Sequence, residues 1–79
     1  MVKLINVKCE AETASCEFMP EGEGKPGFVR VNRKNVIEYV PAEGYGTEDY
    51  SPDLNHVAGF LYKTFGMEKV PKEVTIYWY

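Results

Sequence analysis

The sequence has few of the residues from which metal and catalytic sites are usually built. It contains one histidine, His56, and two cysteines, Cys9 and Cys16. Structural zinc normally needs four such ligands, usually with closely spaced cysteine pairs, so these residues do not match a zinc site. Two cysteines are also too few for a disulfide framework, and we expect both as thiols. We therefore expect no metal and no other cofactor.

The sequence also lacks long apolar runs and clusters of basic residues, which limits where the protein can be located and what it can bind. No apolar run approaches the roughly 20 residues of a membrane span, and Met1–Asn6 turns polar too soon for a signal peptide. We therefore expect a cytoplasmic protein that does not bind membranes. The nine basic residues are scattered among twelve acidic ones, with a formal net charge of -3. This pattern disfavours nucleic acid, whose binding needs clustered Lys and Arg.

Apolar and aromatic residues, by contrast, are well supplied. The 79 residues are 44% hydrophobic and 14% aromatic, which argues against an intrinsically disordered chain. A chain of this length makes one domain at most, and such a domain buries only about 60–65% of its unfolded surface. We expect a single domain, residues 1–79, with a thin hydrophobic core.

The strongest strand signal is Val74–Tyr79, where six consecutive residues are β-branched or aromatic. Alternate side chains of a strand point to opposite sides of its sheet, so both sides of this strand need cover. One side carries Val74, Ile76 and Trp78, and the other carries Thr75, Tyr77 and Tyr79.

Alternating apolar residues from Leu4 to Phe18 predict a first hairpin. No Asn-Gly signal is present, so a four-residue loop at 11–14 is expected in place of a tight turn. In the predicted register, apolar residues pair on one face of the hairpin and polar residues pair on the other. The apolar pairs are Cys9 with Cys16, Val7 with Phe18 and Ile5 with Pro20.

A second hairpin is predicted around the three-residue loop Arg33–Asn35. Asn35 would occupy the left-handed position of this loop, which Asn tolerates better than most residues. The corresponding register pairs Val31 with Ile37, Val29 with Tyr39 and Arg30 with Glu38.

A helix is predicted to follow, with Ser51 as its N-cap and Pro52 at its first position. Gly66 is placed to end it in a left-handed cap. Helical spacing puts Asn55, Tyr62, Lys63 and Thr64 off the buried stripe, which consists of Leu54, Val57, Ala58, Leu61 and Phe65.

The predicted fold is therefore α+β, in the order β-β-β-β-α-β. Five mainly antiparallel strands form one sheet, and one amphipathic helix packs on one of its faces. Strand order 5-1-2-3-4 follows most simply from short connections. Order 2-1-5-3-4 is an alternative that makes the last strand central.

Two connections, Glu21–Gly27 and the acidic loop 43–50, combine glycine and charge with few residues able to pack, so we expect both to be mobile. Gly22–Val29 matches the kinase pattern G-x-G-x-x-G-x-V, but no H-R-D or D-F-G follows. We interpret it as a hairpin connection. Whether loop 43–50 binds a ligand is left open.

The sequence allows an enzyme only through a metal or redox site, or an activated thiol, built on Cys9, Cys16 and His56. A thiol on an apolar face tends to be inert, so catalysis is not the leading hypothesis. A second alternative is single-stranded nucleic acid stacked on Tyr77 and Tyr79, which the acidic composition disfavours.

The leading hypothesis is a non-catalytic module that binds a protein partner or forms a homodimer. One helix can cover only one face of the sheet, and the aromatic surplus is of the kind enriched at interfaces. The predicted interface residues are Thr75, Tyr77 and Tyr79 on the sheet, with Tyr45 and Tyr50 in the acidic loop.

Overall fold

A computed structural model describes residues 2–20, 25–42 and 52–77 of the chain. The elements are β1 (Val2–Cys9), β2 (Thr13–Pro20), β3 (Gly27–Asn32), β4 (Val36–Val40), α1 (Pro52–Thr64) and β5 (Val74–Ile76). All strand pairs are antiparallel, in the order β4-β3-β2-β1-β5, and α1 packs against β1, β2 and β3.

The predicted α+β fold is thus confirmed, together with strand order 5-1-2-3-4. The alternative order 2-1-5-3-4 is not adopted, because β5 adds to the outer side of β1. Most of the two loops predicted to be mobile, residues 21–24 and 43–50, lies outside the described residues.

A bulge in β1 changes which residues face the core. Val2 and Leu4 are fully buried, whereas the buried residue after the bulge is Val7. Even-numbered residues therefore face the core before the bulge, and odd-numbered residues face it afterwards. The change occurs at Asn6, whose backbone is left-handed with φ of 51°. Asn is one of the few residues other than Gly that adopts this conformation at low cost.

The predicted register of the first hairpin is therefore wrong. The predicted register requires that the side chains of β1 alternate between the two faces without interruption. The bulge inserts one residue between Ile5 and Lys8 and so breaks this alternation. Strand β2 also begins at Thr13, so the loop is not the predicted 11–14. The observed pairs include Leu4 with Phe18, Ile5 with Glu17, Lys8 with Ser15 and Cys9 with Ala14.

In the second hairpin the predicted loop 33–35 and two of the three predicted pairs, Val29–Tyr39 and Arg30–Glu38, are confirmed. The third pair is wrong, because a register shift sets Val31 opposite Val36 and not Ile37.

The predicted left-handed Asn35 is also wrong. The loop is instead closed by Asn32, whose side-chain oxygen accepts hydrogen bonds from the Lys34 and Asn35 amides at 2.8 and 2.6 Å. Asn side chains commonly bond to nearby backbone in this way, which removes the need for a positive φ.

The stripe of α1 is confirmed, with Val57, Ala58 and Leu61 buried and Leu54 and Phe65 partly buried against the core. Pro52 is the first helical residue, as predicted, and Ser51 lies outside the described residues.

Thr64 was predicted off the stripe, but it is buried. Its hydroxyl donates a hydrogen bond to the Leu61 carbonyl at 2.6 Å, so the helix itself satisfies this polar group. Gly66 does not form a left-handed cap, because its φ is not positive. The chain leaves the helix through two tight i to i-3 bonds of 3.1 Å, from Gly66 to Lys63 and from Met67 to Thr64.

The core lies between α1 and one face of the sheet, the covered face. Phe18 is at its centre and stacks on Tyr39 with ring centroids 6.1 Å apart. A Cβ on Gly27 would lie 2.5 Å from the Phe18 ring and also too close to the Val40 carbonyl. The last glycine of the kinase-like pattern therefore makes room for an aromatic ring.

Strand β5 is shorter than predicted and includes only Val74–Ile76. Val74 and Ile76 pack against the core, as expected from their alternation, whereas Thr75 is exposed. Trp78 and Tyr79 lie outside the described residues. Among the residues that are described, no helix is long and apolar enough to cross a membrane.

Candidate functional site

Cys16, one of the three candidate residues for a metal, redox or catalytic site, is unsuited to such chemistry in the structure. It lies on the covered face and is almost completely buried. Burial, reinforced by the neighbouring Glu17 carboxylate, raises the pKa of Cys16 to about 12. The thiol is therefore protonated at neutral pH and cannot act as a thiolate nucleophile or ligand there.

The other two candidates do not join it in a site. Cys9 pairs with Ala14 across the hairpin, and its Sγ lies 3.7 Å from the Glu10 carbonyl oxygen. His56 is on α1 and lines a groove beside Ile76. Within residues 2–20, 25–42 and 52–77, no three His, Cys, Asp or Glu side chains are grouped to hold a metal ion.

The sheet face opposite α1 is the open face. The register places a row of three apolar residues and one acid across it, from Ile5 through Glu17 and Phe28 to Val40. Ile5 and Phe28 are half-buried, and Val40 is 49% exposed. The remaining positions of this face are Lys3, Lys8, Thr13, Ser15, Met19, Arg30, Asn32, Glu38 and Thr75.

Three of the charged residues on the open face, Glu17, Arg30 and Glu38, have polar partners. Arg30 donates to the Glu38 carboxylate at 2.8 Å, and its guanidinium lies 5.3 Å from the Phe28 ring centroid. The side-chain amide of Asn6 donates to Glu17. A shallow depression of about 300 Å³ here is lined by Asn6, Lys8, Glu10, Ser15, Glu17, Phe28 and Arg30.

This depression has two positive and two negative side chains, so it offers no field of one sign for an anion or a cation. Its aromatic and arginine residues are instead those enriched at protein interfaces. The chemistry of the open face therefore fits protein contact better than catalysis.

The edge strand β4 exposes three apolar side chains that do not share one face, because Val36 lies opposite Val31 of the covered face and Val40 lies on the open face. Val36 is 36% exposed, Ile37 51% and Val40 49%; we call these three residues the β4 edge surface. Strand β4 pairs only with β3 in the described chain, so its outer backbone groups have no strand partner there. Natural edge strands are usually protected by Lys, Pro or bulges that hinder further pairing, and β4 carries one bulge, because Val36–Glu38 lie opposite Arg30–Val31.

The interface residues predicted from the sequence lie at the other end of the sheet, insofar as they are described. Tyr77 is 63% exposed, and Thr75 is exposed beside Lys3. Tyr79, Tyr45 and Tyr50 lie outside the described residues.

The β4 edge surface was not predicted as a site. Its signal is the run Val36–Val40, in which four of five residues are apolar although only one face of a strand can meet the helix. That signal acquires meaning only once strand order places β4 at the edge of the sheet.

Comparison with known proteins gives no relative. No protein-family model matches the chain, and no curated protein or solved structure matches it. Its function is therefore inferred from its own surfaces.

Proposed function

We propose that this protein is a non-catalytic binding module that self-associates through the β4 edge surface and the adjoining open face. The observation that carries the proposal is an edge strand with three exposed apolar side chains, Val36, Ile37 and Val40. An exposed edge of this kind is a template for pairing with another strand.

A second copy of the chain is the simplest partner, because a two-fold contact needs only one self-complementary surface. In an antiparallel pair of β4 strands, Glu38 at the middle of the strand approaches its own symmetry mate. The Arg30–Glu38 ion pair then neutralises this carboxylate in each copy. Without Arg30, two like charges would face one another and weaken the contact.

The expected affinity is modest. Burying the exposed half of each β4 side chain contributes about 1 kcal/mol, and two copies supply six such side chains. Association costs at least about 4 kcal/mol of translational and rotational freedom. The difference is about 2 kcal/mol, and a few new backbone hydrogen bonds at about 1 kcal/mol each bring the expected dissociation constant to about 1 mM or somewhat below.

Sedimentation equilibrium tests the proposal. At about 0.5 mM about a third or more of the wild-type chains should be in dimers, because a dissociation constant of about 1 mM or below is detectable at that concentration. Ile37→Lys should be monomeric with unchanged circular dichroism. The matched control is Tyr62→Lys, which places the same charge on an exposed residue of α1 and should leave the dimer intact. A monomeric wild-type chain would refute self-association.

A further variant locates the interface. If Tyr77→Lys dissociates the dimer and Ile37→Lys does not, self-association uses the β5 end of the sheet. That result would restore the interface predicted from the sequence and reject the β4 edge surface as its centre.

A further inference from the structure

A groove of about 420 Å³ lies between α1 and β5, at the opposite edge of the sheet from β4. Its volume is within the range of roughly 300–1,000 Å³ found for ligand sites. The groove is lined by Asn55, His56, Gly59, Phe60, Lys63, Thr75 and Ile76.

Gly59 is the least expected residue of this groove. It lies in the middle of α1, where Gly destabilises a helix by about 1 kcal/mol relative to Ala. A Cβ at this position would meet nothing within 4 Å, and the backbone there does not have a positive φ. The fold itself therefore does not require a glycine here. The missing side chain keeps the helix backbone open to an occupant of the groove.

The walls of the groove supply two kinds of contact. Phe60 and Ile76 are half-buried and pack against the core, so they form an apolar floor. Lys63 brings a positive charge that makes no ion pair with a described residue. No carboxylate is among the lining residues that the structure describes, which makes this part of the groove electrostatically suited to a negatively charged occupant.

Strand β5 adds a third kind of contact. It pairs with β1 on one side only, and no described strand continues the sheet beyond it. The backbone of an edge strand can hydrogen-bond an added strand about 4.8 Å away. A polypeptide can match such a row of donors and acceptors, whereas a small anion would use only the side chains of the groove.

We infer that this groove binds an extended acidic peptide segment of another protein, which adds to the edge of β5 and passes over Gly59 with a carboxylate near Lys63. Peptide recognition between an edge strand and a helix combines backbone pairing for affinity with side-chain contacts for specificity. The site is separate from the β4 edge surface, so it stands or falls independently of self-association.

Selection from a display library of random octapeptides tests this inference. The library is selected on the wild-type chain and counter-selected on Gly59→Leu, which fills the groove. Enriched peptides should carry acidic residues and bind the wild type about tenfold or more tighter than Gly59→Leu or Lys63→Glu, a difference of about 1.4 kcal/mol or more. Lys69→Glu, which makes the same charge change outside the groove, should bind normally.

Gly59→Ala gives a readout that a purely structural role would not produce. Its melting temperature should rise because Ala favours the helix, while its affinity for the selected peptides falls. Three results would each overturn the inference: no enrichment over Gly59→Leu, enrichment of basic peptides, or equal binding to the wild type and Gly59→Leu.

Discussion

The two faces of this sheet are built from the same strands but differ in almost every physical property. On the covered face, Leu4, Phe18 and Val29 are no more than 2% exposed and surround a thiol that stays protonated. On the open face, an apolar row is interrupted by Glu17 and bordered by the Arg30–Glu38 ion pair. The comparison indicates that one face supplies stability, whereas the other retains charge and is available for contact.

The largest loss of stability is expected for a phenylalanine of the covered face, and a phenylalanine of the open face provides the comparison. Phe18→Ala removes the central ring of the covered face and should cost about 3–5 kcal/mol, a large part of the stability of a small domain. Phe28→Ala makes the same change on the half-buried open face and should cost about 1 kcal/mol or less. Urea unfolding at low protein concentration measures both. Equal losses would contradict the division of roles between the faces.

The protonated thiol predicts a loss of stability in alkali. The pKa of Cys16 is raised by burial from its ordinary value of 9.0 to about 12, so the folded state holds the proton more tightly than the unfolded state. Below pH 9 this difference does not change the free energy of unfolding. Between about pH 9 and 12 the free energy of unfolding falls by on the order of 1 kcal/mol per pH unit.

Comparison of Cys16→Ala with the wild type isolates this contribution from other groups that titrate in alkali. The wild type should lose unfolding free energy more steeply than Cys16→Ala above pH 9. Parallel pH profiles would show that the thiol is not held in its neutral form by the core.

Asn6 controls which residues of β1 belong to which face. Asn6→Val places a β-branched residue at φ of 51° and should destabilise the chain by about 1–2 kcal/mol. Asn6→Gly keeps the backbone conformation and loses only the hydrogen bond to Glu17, so its loss should be smaller. Chemical denaturation distinguishes the two variants. If both lose the same stability, the hydrogen bond matters and the backbone conformation does not.

The smallest effect is expected for the ion pair of the open face. The Arg30 and Glu38 side chains are 45% and 46% exposed, so water and salt screen their attraction. Arg30→Ala should cost about 0.2–1 kcal/mol, and most of the ion-pair part of that loss should disappear in 1 M salt. A salt-independent loss would assign the contribution to the packing of Arg30 on Phe28.

The sequence was sufficient to predict the element order and to reduce the strand order to two alternatives, of which the one with the shorter connections is adopted. It was also sufficient for the buried stripe of α1, which depends only on helical spacing. It did not indicate the bulge at Asn6, because no glycine marks it and alternation appeared uninterrupted. Thr64 was missed because its polar atom is satisfied locally, within its own helix.

The candidate surfaces were less predictable than the fold. The exposure of Thr75 follows from strand alternation once Val74 and Ile76 face the core. The groove beside β5 could not be inferred, because tertiary packing alone brings Gly59 and Lys63 next to that strand.

The pairing of β1 with two very different strands has a consequence for the order of events in folding. Val2 pairs with Pro20 in the other strand of the same hairpin and with Ile76, which is far from it in sequence. Closing the longer loop costs roughly 1–2 kcal/mol more in chain entropy than closing the shorter one, before any contact compensates. We therefore expect β5 to dock late in folding and to be released first in partial unfolding, so its amides should exchange with solvent before those of β2 and β3. The groove would then exist only in molecules that have completed this last step, and an occupant that pairs with β5 would slow its release.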